Sequence, residues 1–177
     1  MATQWKGSVR IAAPVDDVFA YLADFNRHTE WDESTASVEQ LELGDANGVG
    51  AKFKVHEHLQ TLRSDLNARS VMRPSVGLAG WEVREVVPGN RISWNSYAIP
   101  RFGVTADFTF TFASDGDGTV LTESVDFHVP AMLDAAARKL FKGIDEKQTS
   151  QWQRNLENIK RMVEQTAPVR EMAHAGD

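Results

Sequence analysis

From Val104 to Phe112 the chain alternates strictly. Val104, Ala106, Phe108, Phe110 and Phe112 fall on one side, and Thr105, Asp107, Thr109 and Thr111 on the other. A period of two marks a strand with one buried and one wet face. Runs of similar character cover 4–13, 35–43, 50–59, 78–87, 91–98 and 119–129, with 103–113 as the clearest. Gly44-Asp45-Ala46-Asn47-Gly48, Pro88-Gly89-Asn90 and Asp115-Gly116-Asp117-Gly118 separate neighbouring runs. Short glycine-containing connections of this kind make hairpins, so the strands should pair antiparallel in a meander.

Elsewhere the period is helical. Val15, Phe19 and Leu22 share one helical face just after Pro14, with Asp16 and Asp17 in the first turn, where carboxylates complement the helix dipole. A second short helix is predicted from Phe25 to Trp31. Trp152, Leu156, Ile159 and Val163 form an apolar stripe on a long helix over 145–165, with Arg154, Glu157, Lys160, Arg161 and Glu164 largely off that stripe. Met132 to Leu140 reads as one more short helix broken at Gly143, and 60–77 as a long loop. The expected organisation is one α+β domain over 1–165, then a mobile tail over 166–177. Helices segregated from a run of strands favour that class over a parallel α/β fold.

Composition narrows the function classes. The chain has 177 residues, 42% hydrophobic and 25% charged, a formal net charge of −6 and no cysteine. Disulfides, thiolate metal sites and thiol nucleophiles are therefore excluded. No transmembrane span or signal peptide is legible, so the expected location is the cytoplasm, without integral membrane association. The acidic balance, and the lack of basic residues interleaved with aromatics, argue against nucleic acid as a partner. Neither a Gly-x-Ser-x-Gly elbow nor a phosphate-cradling loop is present, and no cofactor is expected.

Carboxylates in register with apolar neighbours are more informative. Glu57 shares a face with Phe53, Val55 and Leu59; Glu85 with Trp81, Val83 and Val87; Glu123 with Leu121, Val125, Phe127 and Val129. If those registers hold, the three acids point inward and need a partner or a proton. Arg63, Arg69, Arg73 and Arg84 are possible partners. Glu123 is the candidate to orient a polar ligand end or to act as a general acid or base. A bulge that turns an acid outward, or a plain ion pair, is the structural alternative at each position. His56 and His58 alternate with Lys52 and Lys54 on a face that reads as solvated, so no metal site is expected. His28 is expected at the surface, with a place at a cavity mouth as the alternative. His128 and His174 carry no signal.

Together these segments resemble a known family. Val9-Arg10-Ile11-Ala12-Ala13-Pro14-Val15-Asp16-Asp17-Val18-Phe19-Ala20-Tyr21-Leu22-Ala23-Asp24 is similar to the opening of the polyketide cyclase/dehydrase group of the START-like (Bet v 1-like, SRPBCC, helix-grip) superfamily. Trp31, Gly48-Val49-Gly50-Ala51-Lys52-Phe53, the stretch from Trp81 to Pro88, Arg91-Ile92-Ser93-Trp94 and Asn155-Leu156-Glu157-Asn158-Ile159-Lys160 follow in the expected order. The resemblance spans roughly residues 5–165. It implies a curved antiparallel sheet of about seven strands gripping the last helix around a cavity. The candidate lining is Trp31, Phe53, Val55, Glu57, Trp81, Val83, Trp94, Ala106, Phe108, Phe110, Glu123, Val125, Trp152 and Leu156, although inward apolar residues are ordinarily plain core. Fold alone does not assign a reaction. Three functions stay open: a carrier of a small hydrophobic, lipid-like or aromatic ligand; an aromatase/cyclase or dehydrase acting on a polyketide-like substrate; and a protein-partner-binding domain.

Overall fold

The computed structural model describes residues 3–57, 78–99, 104–128, 130 and 145–166. Strand β1 (Thr3–Ile11) leads into helix α1 (Val15–Ala23), a single 3-10 turn (Phe25–Arg27) and the one-turn helix α2 (His28–Trp31). Six strands follow: β2 (Thr35–Glu42), β3 (Lys52–Glu57), β4 (Leu78–Val87), β5 (Arg91–Ile99), β6 (Val104–Asp115) and β7 (Gly118–His128). Helix α3 (Asp145–Thr166) closes the series. The sheet has seven strands in the order β1-β7-β6-β5-β4-β3-β2, every neighbouring pair antiparallel. This is the α+β helix-grip architecture, a curved sheet with a long C-terminal helix. The predicted loop over 60–77, the helix over Met132 to Leu140 and the tail beyond Thr166 lie outside the described residues.

Local chemistry explains the element edges. Pro14 stands before the first turn of α1, and its carbonyl accepts the Asp17 and Val18 amides at 3.1 and 3.2 Å. Pro14 is the N-cap, with φ −58° and an extended ψ of 153°, one residue before the first helical position. Val18, Tyr21 and Leu22 are buried, while Val15 and Phe19 are half-buried against the core, so the buried face of α1 is rotated slightly from the predicted stripe. Gly116 takes φ +64° between β6 and β7, a left-handed conformation that glycine adopts without a Cβ clash.

The inner face is read in rows across the strands. One row runs Gly7, Glu123, Phe110, Ile92 and Val86; the next runs Trp5, Val125, Phe108, Trp94 and Val83. Strict alternation in β6 and β7 carries both rows, as the period-two pattern predicts. In β4 the alternation breaks. The register steps from Val83 opposite Trp94 to Glu85 opposite Ser93, so Arg84 is an extra residue. After this bulge Val86 faces the core, Val87 is exposed, and Glu85 turns outward to pair with Arg91 at 3.5 Å. The expectation that Glu85 points inward is thereby corrected: one inserted residue inverts every side chain beyond it.

Helix α3 lies across the sheet against β1 and seals the core with Leu156, Ile159 and Val163. Gly7 makes the close approach possible. A Cβ there would stand 2.6 Å from the Trp5 ring and 3.1 Å from Leu156. Trp5 instead folds over Gly7 and meets Trp152 of α3, ring centroids 5.1 Å apart. Gly7→Ala should therefore force the Trp5–Trp152–Leu156 contact apart and cost about 1–3 kcal/mol, the usual penalty of overpacking. Chemical denaturation measures it; an unchanged midpoint would show that the Trp5 ring moves aside freely.

Candidate functional site

Midway along β7, Glu123 has Gly7 beside it on β1 and Phe110 beside it on β6. Its side chain points inward as predicted and is only 2% exposed. No donor reaches its Oε2. Loss of hydration, and after it the negative charge of Asp32, raise the carboxyl well above its ordinary 4.5. An unpaired carboxylate in such a place takes up a proton instead of staying charged. Arg84, one of the possible partners, pairs elsewhere: it bonds Glu82 at 3.0 Å on the outer side. Arg63, Arg69 and Arg73 fall outside the described residues, as does the Glu57 side chain.

Asp32, just after α2, is a hub of hydrogen bonds. Its Oδ1 accepts from the Ser34 amide, the Ser34 hydroxyl and Asn155 Nδ2 at 3.0, 2.8 and 3.0 Å, and its Oδ2 accepts from the Thr35 hydroxyl at 2.7 Å. Asn155 Oδ1 accepts the Glu33 amide at 3.2 Å, and Asn158 Nδ2 donates to the Trp31 carbonyl at 3.1 Å. These bonds pin α3 to the segment that presents Trp31. Sequence reasoning missed Asn155 as a structural anchor. The signal was there: Asn155 interrupts the apolar stripe of α3, three residues after Trp152 and four before Ile159.

His28 corrects another expectation. It is not at the surface but 1% exposed. Its ring lies against Phe25, Trp31, Trp81 and Trp94, with centroids 4.9, 4.5, 4.6 and 5.6 Å away. Burial lowers its pKa to about 4, despite the opposing influence of Asp32. Nδ1 lies 3.0 Å from the Phe25 carbonyl, while Nε2 has no partner. The helical spacing of Phe25, His28 and Trp31, three residues apart each time, places all three rings on the inner side. That spacing was the available clue. Trp31 is buried too, and its Nε1–H also lacks an acceptor.

The other predicted residues surround this centre. Phe53, Val55, Trp81, Val83, Trp94, Ala106, Phe110, Val125 and Leu156 are all buried. Phe108 is half-buried and stacks on Trp94 at 5.2 Å; Trp152 is half-buried between Trp5 and Phe127. Ser96 and Ala106 are the small members of a row that runs from Phe53 and Trp81 to Phe127. His56 is exposed, and Lys52 and Lys54 pair with Glu42 and Glu39 on the outer face. His128, which carried no signal, meets Asp107 at 2.6 Å, and Asp107 also accepts from Asn95 at 2.6 Å. Among the described residues no three metal-ligating side chains converge, and no helix is long and apolar enough to cross a membrane.

The inner face thus joins a buried acid whose surroundings favour its proton, an indole N–H and an imidazole whose surroundings disfavour its charged form, within an aromatic shell. Solved structures share the fold that carries this face. The chain is similar to the Zhui aromatase/cyclase from Streptomyces sp. R1128, with a TM-score of 0.65 and 20% identity over 93% of this chain and 95% of that one. It is also similar to the di-domain ARO/CYC StfQ from the steffimycin biosynthetic pathway, with a TM-score of 0.67 and 16% identity, covering 96% of this chain and 53% of that longer one. A START superfamily protein from Mycobacterium smegmatis aligns with a TM-score of 0.60 and 15% identity over 92% of this chain and 97% of that one. At these identities the likeness shows the fold. No curated protein matches the sequence. The family described as polyketide cyclase / dehydrase and lipid transport matches residues 3–164. On that match, over nearly the whole chain, the protein belongs to the polyketide cyclase/dehydrase and lipid transport family.

Proposed function

We propose that this protein binds a small, largely apolar organic molecule between the inner face of its sheet and α3. The observation that carries the reading is the set of three buried polar atoms without partners among the described residues, Glu123 Oε2, Trp31 Nε1 and His28 Nε2. Buried polar groups are nearly always hydrogen-bonded, and groups left over are costly to stability. A bound molecule that supplies the missing partners gives the arrangement a purpose. The small side chains of Ser96 and Ala106, between the bulk of Trp81 and Phe127, reduce the filling of the inner face where such a molecule would lie. Apolar walls with a few placed polar groups are the common form of a small-molecule site.

A second reading, an aromatase/cyclase or dehydrase, draws on the same acid. Glu123, whose burial favours the protonated form, is suited to give a proton to a substrate carbonyl or leaving hydroxyl. The aromatase/cyclases named above share the fold, which supports the reading without assigning the reaction.

Titration with the uncharged probe N-phenyl-1-naphthylamine tests binding. One probe molecule per chain should be taken up, with enhanced probe emission and quenched tryptophan emission, since Trp31, Trp81 and Trp94 lie in the proposed walls. Native mass spectrometry of freshly purified protein should show an added organic mass. Absence of both signals would remove the binding reading and the enzymatic one together.

A further inference from the structure

The hydrogen-bonding character of the three orphaned atoms specifies the ligand's polar end. His28 Nδ1 faces a backbone carbonyl at 3.0 Å, and a carbonyl can only accept, so Nδ1 carries the ring hydrogen. In the neutral imidazole Nε2 is then a bare lone pair that requires a donor. The neutral form is the one at hand, because the aromatic shell disfavours the charged ring. Trp31 Nε1–H is a donor and nothing else, so it requires an acceptor. The two rings are in contact, 4.5 Å between centroids, at 45° to each other.

Building on the binding role proposed above, we propose that the ligand's polar end is an uncharged hydroxyl that donates to His28 Nε2 and accepts from Trp31 Nε1–H. Only a group that gives and takes at once meets both demands. An ether or a ketone meets the indole and leaves the imidazole bare. A carboxylate meets the indole alone and brings a charge. No lysine or arginine whose side chain is described is buried, so none of these is there to receive that charge. Glu123 continues the same strip of the inner face: Trp31 touches Phe110 at 5.9 Å, and Phe110 is the cross-strand neighbour of Glu123. Its carboxyl, for which burial favours the protonated form, suits a neutral oxygen further along the ligand. The chemistry selected is therefore that of a phenol or an alcohol on an apolar skeleton, and a fatty-acid type of ligand is disfavoured.

Four probes of one shape test this: naphthalene, 2-naphthol, 2-methoxynaphthalene and 2-naphthoate, titrated at neutral pH against tryptophan emission. In wild-type protein 2-naphthol should bind about tenfold more tightly than its methyl ether, the worth of one buried hydrogen bond. Naphthoate should bind most weakly. His28→Phe keeps a flat ring in the aromatic shell and should abolish the naphthol preference, read as the ratio of naphthol to ether affinity within the variant. Trp31→Phe provides a second variant and should reduce the preference as well. Equal affinities for naphthol and its ether in wild-type protein, as expected if a water bridges the two rings, would overturn the inference and leave the binding role standing. A preference that persists in both variants, or naphthoate binding as tightly as naphthol, would overturn it too. Failure of all four probes to bind would remove the binding role, and the inference with it.

Discussion

Glu123→Gln is expected to abolish a decline in stability with rising pH. In the folded protein the Glu123 carboxyl keeps its proton well above 4.5, chiefly because burial penalises the carboxylate. The unfolded chain releases that proton near the ordinary value. Between the two values the folded state holds one proton more than the unfolded state. Stability then falls by about 1.4 kcal/mol for each pH unit gained. The contribution is complete below 4.5 and is lost as the pH climbs through the raised folded value.

His28 acts in the opposite direction. Its pKa is lowered from 6.5 to about 4, so between those values the unfolded state holds the extra proton and stability rises with pH. Above 4.5 the Glu123 decline opposes the His28 rise, and it continues until the pH passes the raised folded value. The glutamine variant should keep the rise below 6.5 and then level off. Urea denaturation across a pH series compares the two proteins. Parallel profiles above 4.5 would mean that Glu123 ionises freely within the fold.

Phe110→Ala should be the most damaging single truncation near the site, costing about 3–5 kcal/mol. The side chain is fully buried, touches Trp31 at 5.9 Å and Trp94 at 5.2 Å, and lies between Glu123 and Ile92 in its row. Its removal leaves a hole that rigid neighbours on a paired strand cannot close. The lost transfer energy and the cavity penalty therefore add. Phe110→Leu should cost less, because it refills part of the volume. Calorimetry on the three proteins gives the comparison. A loss below about 1 kcal/mol for the alanine variant would show that Trp31 and Trp94 collapse into the space.

These two expectations rest on residues of different legibility. Phe110 was plain from alternation, since a period of two in β6 puts five apolar residues on one side. Glu123 was assigned inward by the same rule on β7, and the rule held because no bulge intervenes between it and the turn at Gly116. Glu85 was assigned by identical reasoning and fails, because Arg84 is an extra residue in the ladder. Nothing in Trp81 to Val87 announces that insertion. A bulge is decided by how two strands pair, and pairing is not local. His28 failed for a related reason. A polar residue in a short helical segment is ordinarily outside, yet Trp81 and Trp94, distant in sequence, enclose it together with the neighbouring Phe25 and Trp31.

Periodicity and turn chemistry alone determined the class of fold here, its strand and helix order, and which faces of β6, β7 and α3 turn inward. Those properties are local, because each follows from the geometry of a few consecutive residues. The pairing of β1 with β7, the tethering of α3 to Asp32 through Asn155, and the gathering of His28, Trp31 and Glu123 on one inner surface were decided only by the tertiary structure. Each joins residues far apart in the chain, and only long-range packing, register and desolvation say which distant groups end as neighbours and which keep their protons.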